Sequence, residues 1–220
     1  MPEIDFISIL HKRTPRDYLG RVTAHDKAEC AEVASQWGRD YWDGDRRFGY
    51  GGNYYDGRWR PVAENLARHY ALPENARILD VGCGKGFLLF ELTQVLPKAS
   101  VTGLDISTYA IENAKAEVRS SLVVGDAAKL PFPDKSFDLV LSINTLHNLY
   151  IDQLWNAIGE MERVSRGAKY VTVESYRNER EKMNLLYWQL TCRAFHSVPE
   201  WKWIFQSAGF SGDYSFIFFE

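Results

Sequence analysis

The stretch Arg77 to Leu89, RILDVGCGKGFLL, constrains this chain more than any other. A run of strand character delivers Asp80, the chain turns through Gly82, Gly84 and Gly86, and a helical run comes next. Glycines at such a turn permit backbone angles closed to other residues and leave no side chain between backbone and ligand. The spacing is GxGxG, whereas a dinucleotide fingerprint is GxGxxG, with its third glycine one position later for close helix packing. Taken alone, the loop is either a ligand cradle or a tight strand-to-helix turn.

The residues beyond the loop set the fold class. Short apolar runs alternate with helix-like segments: RILDV, then GFLLFELTQVL; SVTGLDI, then STYAIENAKAEV; then SLVVGD, FDLVLSIN and KYVTVES. Such alternation predicts βαβ units. The continuous apolar runs suit strands buried on both faces. The expected fold is therefore α/β and doubly wound, a mostly parallel sheet of six or seven strands with helices on both faces. A helical stretch is expected from Glu179 to roughly Phe195. Pro199 then opens a short helix ending at Gly209, and DYSFIFFE closes the chain as a strand. Residues 1–76 read as an N-terminal helical and loop lid, with helices around Thr23 to Trp37 and Pro61 to Tyr70. Residues 77–220 read as the core, with a helical insert at about 178–198.

Composition narrows the partners. Twenty-six Lys and Arg stand against 29 Asp and Glu, a formal charge of -3. There is no excess of cations to grip a phosphate backbone, so no nucleic acid is favoured. Cys30, Cys83 and Cys192 lie far apart without metal-ligand spacing, and no metal is expected. The N-terminus MPEIDFISILHKRT reads as neither signal peptide nor membrane anchor, and with the odd cysteine count this suggests a cytoplasmic protein.

Two acids extend the signal of the glycine loop. GLDIS puts Asp105 at the end of the second strand, where a carboxylate accepts hydrogen bonds from ribose hydroxyls. VVGDAAKLPF puts Asp126 after the third, where it or nearby backbone reads an adenine amino group. Singly, each Asp also suits a helix cap or a turn. Features at the ends of three successive strands point together to a ligand.

LDVGCGKG, Asp105 and GDAAKLPFPDKSFDLVLS together resemble the class I S-adenosylmethionine-dependent methyltransferase superfamily, particularly its small-molecule branch. The resemblance runs from about Arg77 to Ser175, with a weaker echo at Ala208 to Phe210. It implies S-adenosyl-L-methionine as cofactor and S-adenosyl-L-homocysteine as product. By that resemblance Asp80, Gly82, Cys83, Gly84 and Gly86 would line the methionine and ribose portion. Asp105 would hold the ribose, Ile106 would pack on adenine, and Asp126 with Ala127 would contact its edge. Asn144 would lie near the methionine end.

Methyl transfer from a sulfonium is a direct displacement, so alignment of acceptor and donor supplies much of the acceleration. A base is needed only when the acceptor must lose a proton. His147, in LSINTLHNLY, is a candidate base because an ordinary imidazole titrates near neutrality; its alternative role is packing under the next helix. Glu174 and Tyr176, ending the fifth strand, are candidates to meet the acceptor, with a surface ion pair the alternative for Glu174. The segment Ser142 to Thr145 lacks the Asn/Asp-Pro-Pro-aromatic signature of enzymes acting on planar amino groups. That argues against DNA adenine and glutamine side chains as acceptors.

A second glycine-rich stretch, FGYGGNYYDGRW, precedes the first βαβ strand and lacks the strand-to-helix context of a phosphate loop. In the superfamily, the segment ahead of the core commonly folds over the cofactor. Tyr50, Tyr55 and Trp59 are therefore candidate substrate contacts, while Tyr54 and Arg58 are candidate cofactor contacts, Arg58 through the donor's carboxylate. The alternative is a hinged surface loop with a few buried rings. The expected function is methyl transfer to an oxygen or nitrogen of a small metabolite or sugar-type acceptor. A protein or peptide acceptor, transfer of another group such as aminopropyl, and a scaffold that binds without turnover remain open.

Overall fold

The computed structural model describes residues 1–11 and 16–220. Among them, six strands form one sheet in the order β3-β2-β1-β4-β5-β6, every pairing parallel. The strands are β1 (Arg77–Val81), β2 (Ser100–Asp105), β3 (Leu122–Val124), β4 (Phe137–Ile143), β5 (Ser165–Glu174) and β6 (Asp213–Ile217). The sheet is thus wholly parallel with six strands. The closing segment adds a single parallel strand and no hairpin. Beyond β6, the N-terminal residues cover part of the open edge, where Ile4 N–H donates to Tyr214 O at 2.9 Å.

Side-chain alternation along the central strands builds two cores. Ile78, Leu139 and Leu141 belong to one layer, with Val62 and Leu66 of α5 (Arg60–His69) and Leu89 and Leu92 of α6 (Phe87–Val95). Leu79, Val81 and Val140 belong to the other, with Leu154, Ile158 and Met161 of α9 (Ile151–Val164) and Trp201 and Phe205 of α11 (Val198–Ser207). A strand whose successive residues all enter a core reads as a continuous apolar run, because the sheet is covered on both faces.

Three sequence expectations change in extent. STYAIENAKAEV breaks into α7 (Thr108–Glu112) and α8 (Ala116–Arg119). The helix expected to run to about Phe195 is α10 (Glu179–Trp188); the residues after it pass along the site in irregular backbone. Ahead of the sheet, α1 (Ser8–His11), α2 (Tyr18–Thr23), α3 (Lys27–Ala34) and α4 (Arg39–Trp42) are short, and Asp17 and Asp26 cap α2 and α3 through their carboxylates. Strand order reverses between β1 and β4, so the crevice at their carboxyl ends is where the topology leaves room for a ligand.

Candidate active site

The β1 end delivers Asp80 into that crevice. Its carboxylate is buried, and Oδ1 has no hydrogen-bond partner. Burial, reinforced by the charge of Asp105, pushes its pKa up to about 7. Gly82 and Gly84 then take φ of +85° and +53°, a region costly for any other residue. A Cβ on Gly82 would stand 1.9 Å from Thr145 Oγ1, and one on Gly84 would stand 2.9 Å from the Trp42 ring. Gly86, also left-handed at φ +73°, starts α6, and its missing Cβ makes room for Val118 and Leu122. Asp105, ending β2, accepts from the N–H of Gly84 and of Ser107, both at 2.8 Å, and so ties the glycine loop to the neighbouring strand.

The β4 and β5 ends form the adjoining wall. Asn144 follows β4 at φ +58°, and its buried Oδ1 has no partner. His147 is buried in the next turn. Its Nδ1 accepts from Glu174 N–H at 3.3 Å, which leaves Nε2 as the protonated nitrogen, 3.5 Å from Glu174 Oε2. Burial lowers the imidazole pKa to about 3, so the ring is neutral. The same burial raises Glu174 to about 8. Gln189 Nε2 donates to Glu174 Oε1, while Oε2 accepts no hydrogen bond.

The segment ahead of the core closes over these strand ends through polar contacts. Trp42 rests against Gly84, and its Nε1 donates to Ser107 Oγ at 2.9 Å. Lys85, inside the glycine loop, is buried and donates to both oxygens of Asp43, at 2.7 and 2.6 Å, and to Asn53 O at 3.0 Å. Tyr109 hydroxyl joins at 2.9 Å. Burial acts to raise the Asp43 pKa, yet these donors together hold it below the usual carboxylate range.

Between the strand ends and this cover lies a cavity of about 630 Å³. It brings together Asp80, Gly82, Cys83, Gly84, Asn144, His147 and Glu174 with Tyr50, Tyr54, Arg58 and Trp59 of the glycine-aromatic stretch. Arg58 is already paired with Asp56 at 2.5 Å. Tyr50 stacks on Trp42 with ring centroids 5.3 Å apart. Other sequence candidates lie elsewhere. Ile106 and Asp126 are exposed, and Ala127 is buried in the α9 core. Tyr55 faces a separate hollow, its hydroxyl on Glu91 at 2.7 Å, and Tyr176 pairs its backbone with Ser197. Sequence reasoning missed Trp42, Asp43, Lys85, Arg21, Arg46 and Trp188. The lysine was visible within VGCGKG, and nothing local marked its partner 42 positions away.

Comparison with known proteins fits this geometry. Residues 79–172 match the family described as Methyltransferase domain. Demethylmenaquinone methyltransferase of Roseiflexus sp. (strain RS-1) is 33% identical over 156 residues, 66% of this chain and 63% of the relative. Fatty-acid O-methyltransferase of Mycolicibacterium smegmatis is 34% identical over 129 residues, 57% of this chain and 44% of the relative. The chain thus spans less than two thirds of either relative's length. A chain from the complex between the Haloferax volcanii Trm112 methyltransferase activator and a methyltransferase superposes with a TM-score of 0.54 at 25% identity, covering 70% of this chain and 73% of that one. Residues 79–172 thus match a methyltransferase domain, and the chain is similar to class I S-adenosylmethionine-dependent methyltransferases, whose methyl donor is S-adenosyl-L-methionine. Asp80 Oδ1 and Asn144 Oδ1, both buried and unpartnered at the glycine loop, suit the ammonium group of that donor's amino-acid end.

Proposed function

We propose that the chain transfers a methyl group from S-adenosyl-L-methionine to an oxygen or nitrogen of a small metabolite or sugar-type acceptor. The observation that carries this reading is the cavity itself, which joins the glycine loop to a buried carboxylate with a free oxygen, Glu174 Oε2, under a cover of aromatic side chains. The donor supplies an electrophilic methyl: the acceptor's lone pair forms the new bond as the carbon–sulfur bond breaks and its electrons stay on sulfur. Asp80 and Asn144 would hold the donor's ammonium end. Asp105 keeps a lone pair on each oxygen for ribose hydroxyls after accepting from Gly84 and Ser107. Ile106 and Asp126, both exposed, would meet the adenine, while Ala127 stays in the core.

Glu174 suits the base better than His147. The imidazole is neutral with one nitrogen occupied by backbone and the other turned to Glu174, so its role is to orient that carboxylate. A carboxylate held near pKa 8 by burial is a stronger base than an ordinary one and matches proton removal from an acceptor near neutrality. Arg58, committed to Asp56, would reach the donor's carboxylate only by giving up that pair. The relatives named above for menaquinone and fatty-acid substrates support a small acceptor, as does the enclosed shape. No described helix is long and apolar enough to cross a membrane, and the three cysteines are free and buried, in keeping with a cytoplasmic setting.

Calorimetry with S-adenosylhomocysteine tests the donor site, and absence of binding would sink the reading. Transfer of label from the methyl donor into a metabolite extract tests turnover. Normal binding with no labelled product would favour a scaffold.

A further inference from the structure

The cavity has a second wall whose chemistry the methyl donor does not account for. Arg21 of α2, Arg46 of the short turn before Phe48, and Arg16 just ahead of α2 all line it. Their guanidinium carbons lie 5.3, 5.1 and 5.5 Å from the centre of the Trp188 ring, at the end of α10. Three like charges from two separate segments therefore crowd one indole. Arg21 spends its donors on neutral carbonyls, Nε on Trp188 O at 3.3 Å and Nη1 on Arg46 O at 2.7 Å, and Arg46 donates to Gly49 O. Among the described residues, neither Arg21 nor Arg46 has a carboxylate within ion-pair distance; the pairs that do form involve other arginines, such as Arg58 with Asp56 and Arg60 with Glu91.

The carboxylates lining the same cavity do not neutralise Arg21 and Arg46. Asp56 is held by Arg58, and burial keeps Asp80 and Glu174 partly protonated near neutrality. Burial lowers the pKa of Arg21, and the neighbouring Arg46 lowers it further. Crowding Arg21 and Arg46 together in a partly desolvated wall without carboxylate partners is costly. An anion entering the cavity removes that cost while gaining charge-assisted hydrogen bonds. In a chain of net charge -3, this local excess is not a by-product of composition.

We propose that the acceptor carries an anionic group, a carboxylate or a phosphate, which Arg21 and Arg46 hold against Trp188 with Arg16 beside them. This rests on the cavity being the acceptor site of the proposed methyltransferase. The planar guanidinium fork matches both oxyanions, and Trp188 lies within cation–π distance of each fork. The anion is an anchor at this wall, while the reacting atom is turned to the Glu174 side.

The test uses the full chain, with and without saturating S-adenosylhomocysteine, and titrates inorganic phosphate and acetate against potassium chloride at equal ionic strength. Melting temperature and calorimetric heat are the readouts. Saturable binding of phosphate or acetate beyond the chloride control is expected, and the tighter of the two identifies the acceptor's anion. Arg21→Gln and Arg46→Gln should each weaken that binding by about ten-fold or more while leaving S-adenosylhomocysteine affinity unchanged. Arg166→Gln, a surface change in an unrelated ion pair, should alter neither. If neither anion binds better than chloride, the proposal is overturned. Loss of S-adenosylhomocysteine affinity in the arginine variants also overturns it, by giving the wall to the donor. Failure of the unmodified protein to bind S-adenosylhomocysteine would strike the functional reading, and the anion titration without it remains readable.

Discussion

The two walls of the cavity are built by different physics. The sheet wall is made of strand ends: Asp80, Asn144 and Glu174 project from β1, β4 and β5, each set by a buried parallel ladder and by core side chains beneath it. The cover is made of short helices and turns, fixed to the sheet wall by Lys85 with Asp43, by Trp42 with Ser107 and by Tyr109 with Asp43. One wall is held by the two large sheet cores, the other by a few polar contacts and a small apolar cluster of Cys30, Ala34 and Leu190. On the proposed reading, the transfer chemistry sits on the first and recognition of the acceptor falls to the second. Elements fastened by few contacts open at lower free-energy cost, which suits a wall that must admit a ligand.

The contrast between the walls breaks most visibly at Glu174. Glu174→Gln should lower turnover by about 10²- to 10⁴-fold and leave S-adenosylhomocysteine affinity intact. Because the ionised form is the active one, the unmodified rate should climb as pH rises toward about 8, and that limb should vanish in the variant. A rate that is unchanged, or an unchanged pH limb, would return the base role to another group. Next in size is Asp43→Ala, which strands the Lys85 ammonium inside the protein. A loss of about 3–5 kcal/mol in denaturant unfolding is expected. Asp43→Asn with Lys85→Met should recover part of it, because the buried charge is gone.

Glycine substitutions compare the loop with an ordinary helix. Gly82→Ala forces φ +85° on a residue with a side chain, about 1–2 kcal/mol from conformation alone, and drives the new methyl into Thr145. Reduced melting temperature and weaker S-adenosylhomocysteine binding should result. Gly159→Ala, in α9 with no neighbour within 4 Å of the new Cβ, should instead raise stability by up to about 1 kcal/mol.

A further comparison is the pH dependence of stability. Glu174 is raised from 4.5 to about 8, so its contribution is full below pH 4.5 and is lost as pH climbs through 8. His147 is lowered from 6.5 to about 3, so its contribution is full above pH 6.5 and is lost as pH falls through 3. The unmodified chain should therefore lose stability relative to Glu174→Gln as pH rises from 4.5 to 8. A difference constant across that range would mean that the carboxyl is not held protonated by burial.

The sheet was legible because each element announces itself locally. RILDV, SVTGLDI and FDLVLSIN are continuous apolar runs, and a strand covered on both faces requires that pattern wherever it sits in the chain. Asp80, Gly82, Gly84 and Asn144 were legible for the same reason, since each adjoins a strand that could be found. The division of labour among the glycines was not, because Gly86 makes room for Val118 and Leu122, more than thirty positions on. Tyr55 and Tyr176 looked equivalent to Tyr50 and Trp59 in sequence, yet one is drawn to Glu91 and the other to Ser197.

By itself, then, the sequence determined the α/β alternation, the glycine turn after β1 and the acids at the strand ends, all properties of residues near one another along the chain. Only the tertiary structure decided that Lys85 would meet Asp43, that His147 would lie against Glu174, and that Arg16, Arg21 and Arg46 would gather on Trp188. Arg16 and Trp188 are separated by some 170 positions, and charge and ring say nothing of each other until folding brings α2 against α10. Local periodicity writes the elements; the burial and charge of side chains distant in sequence write the site.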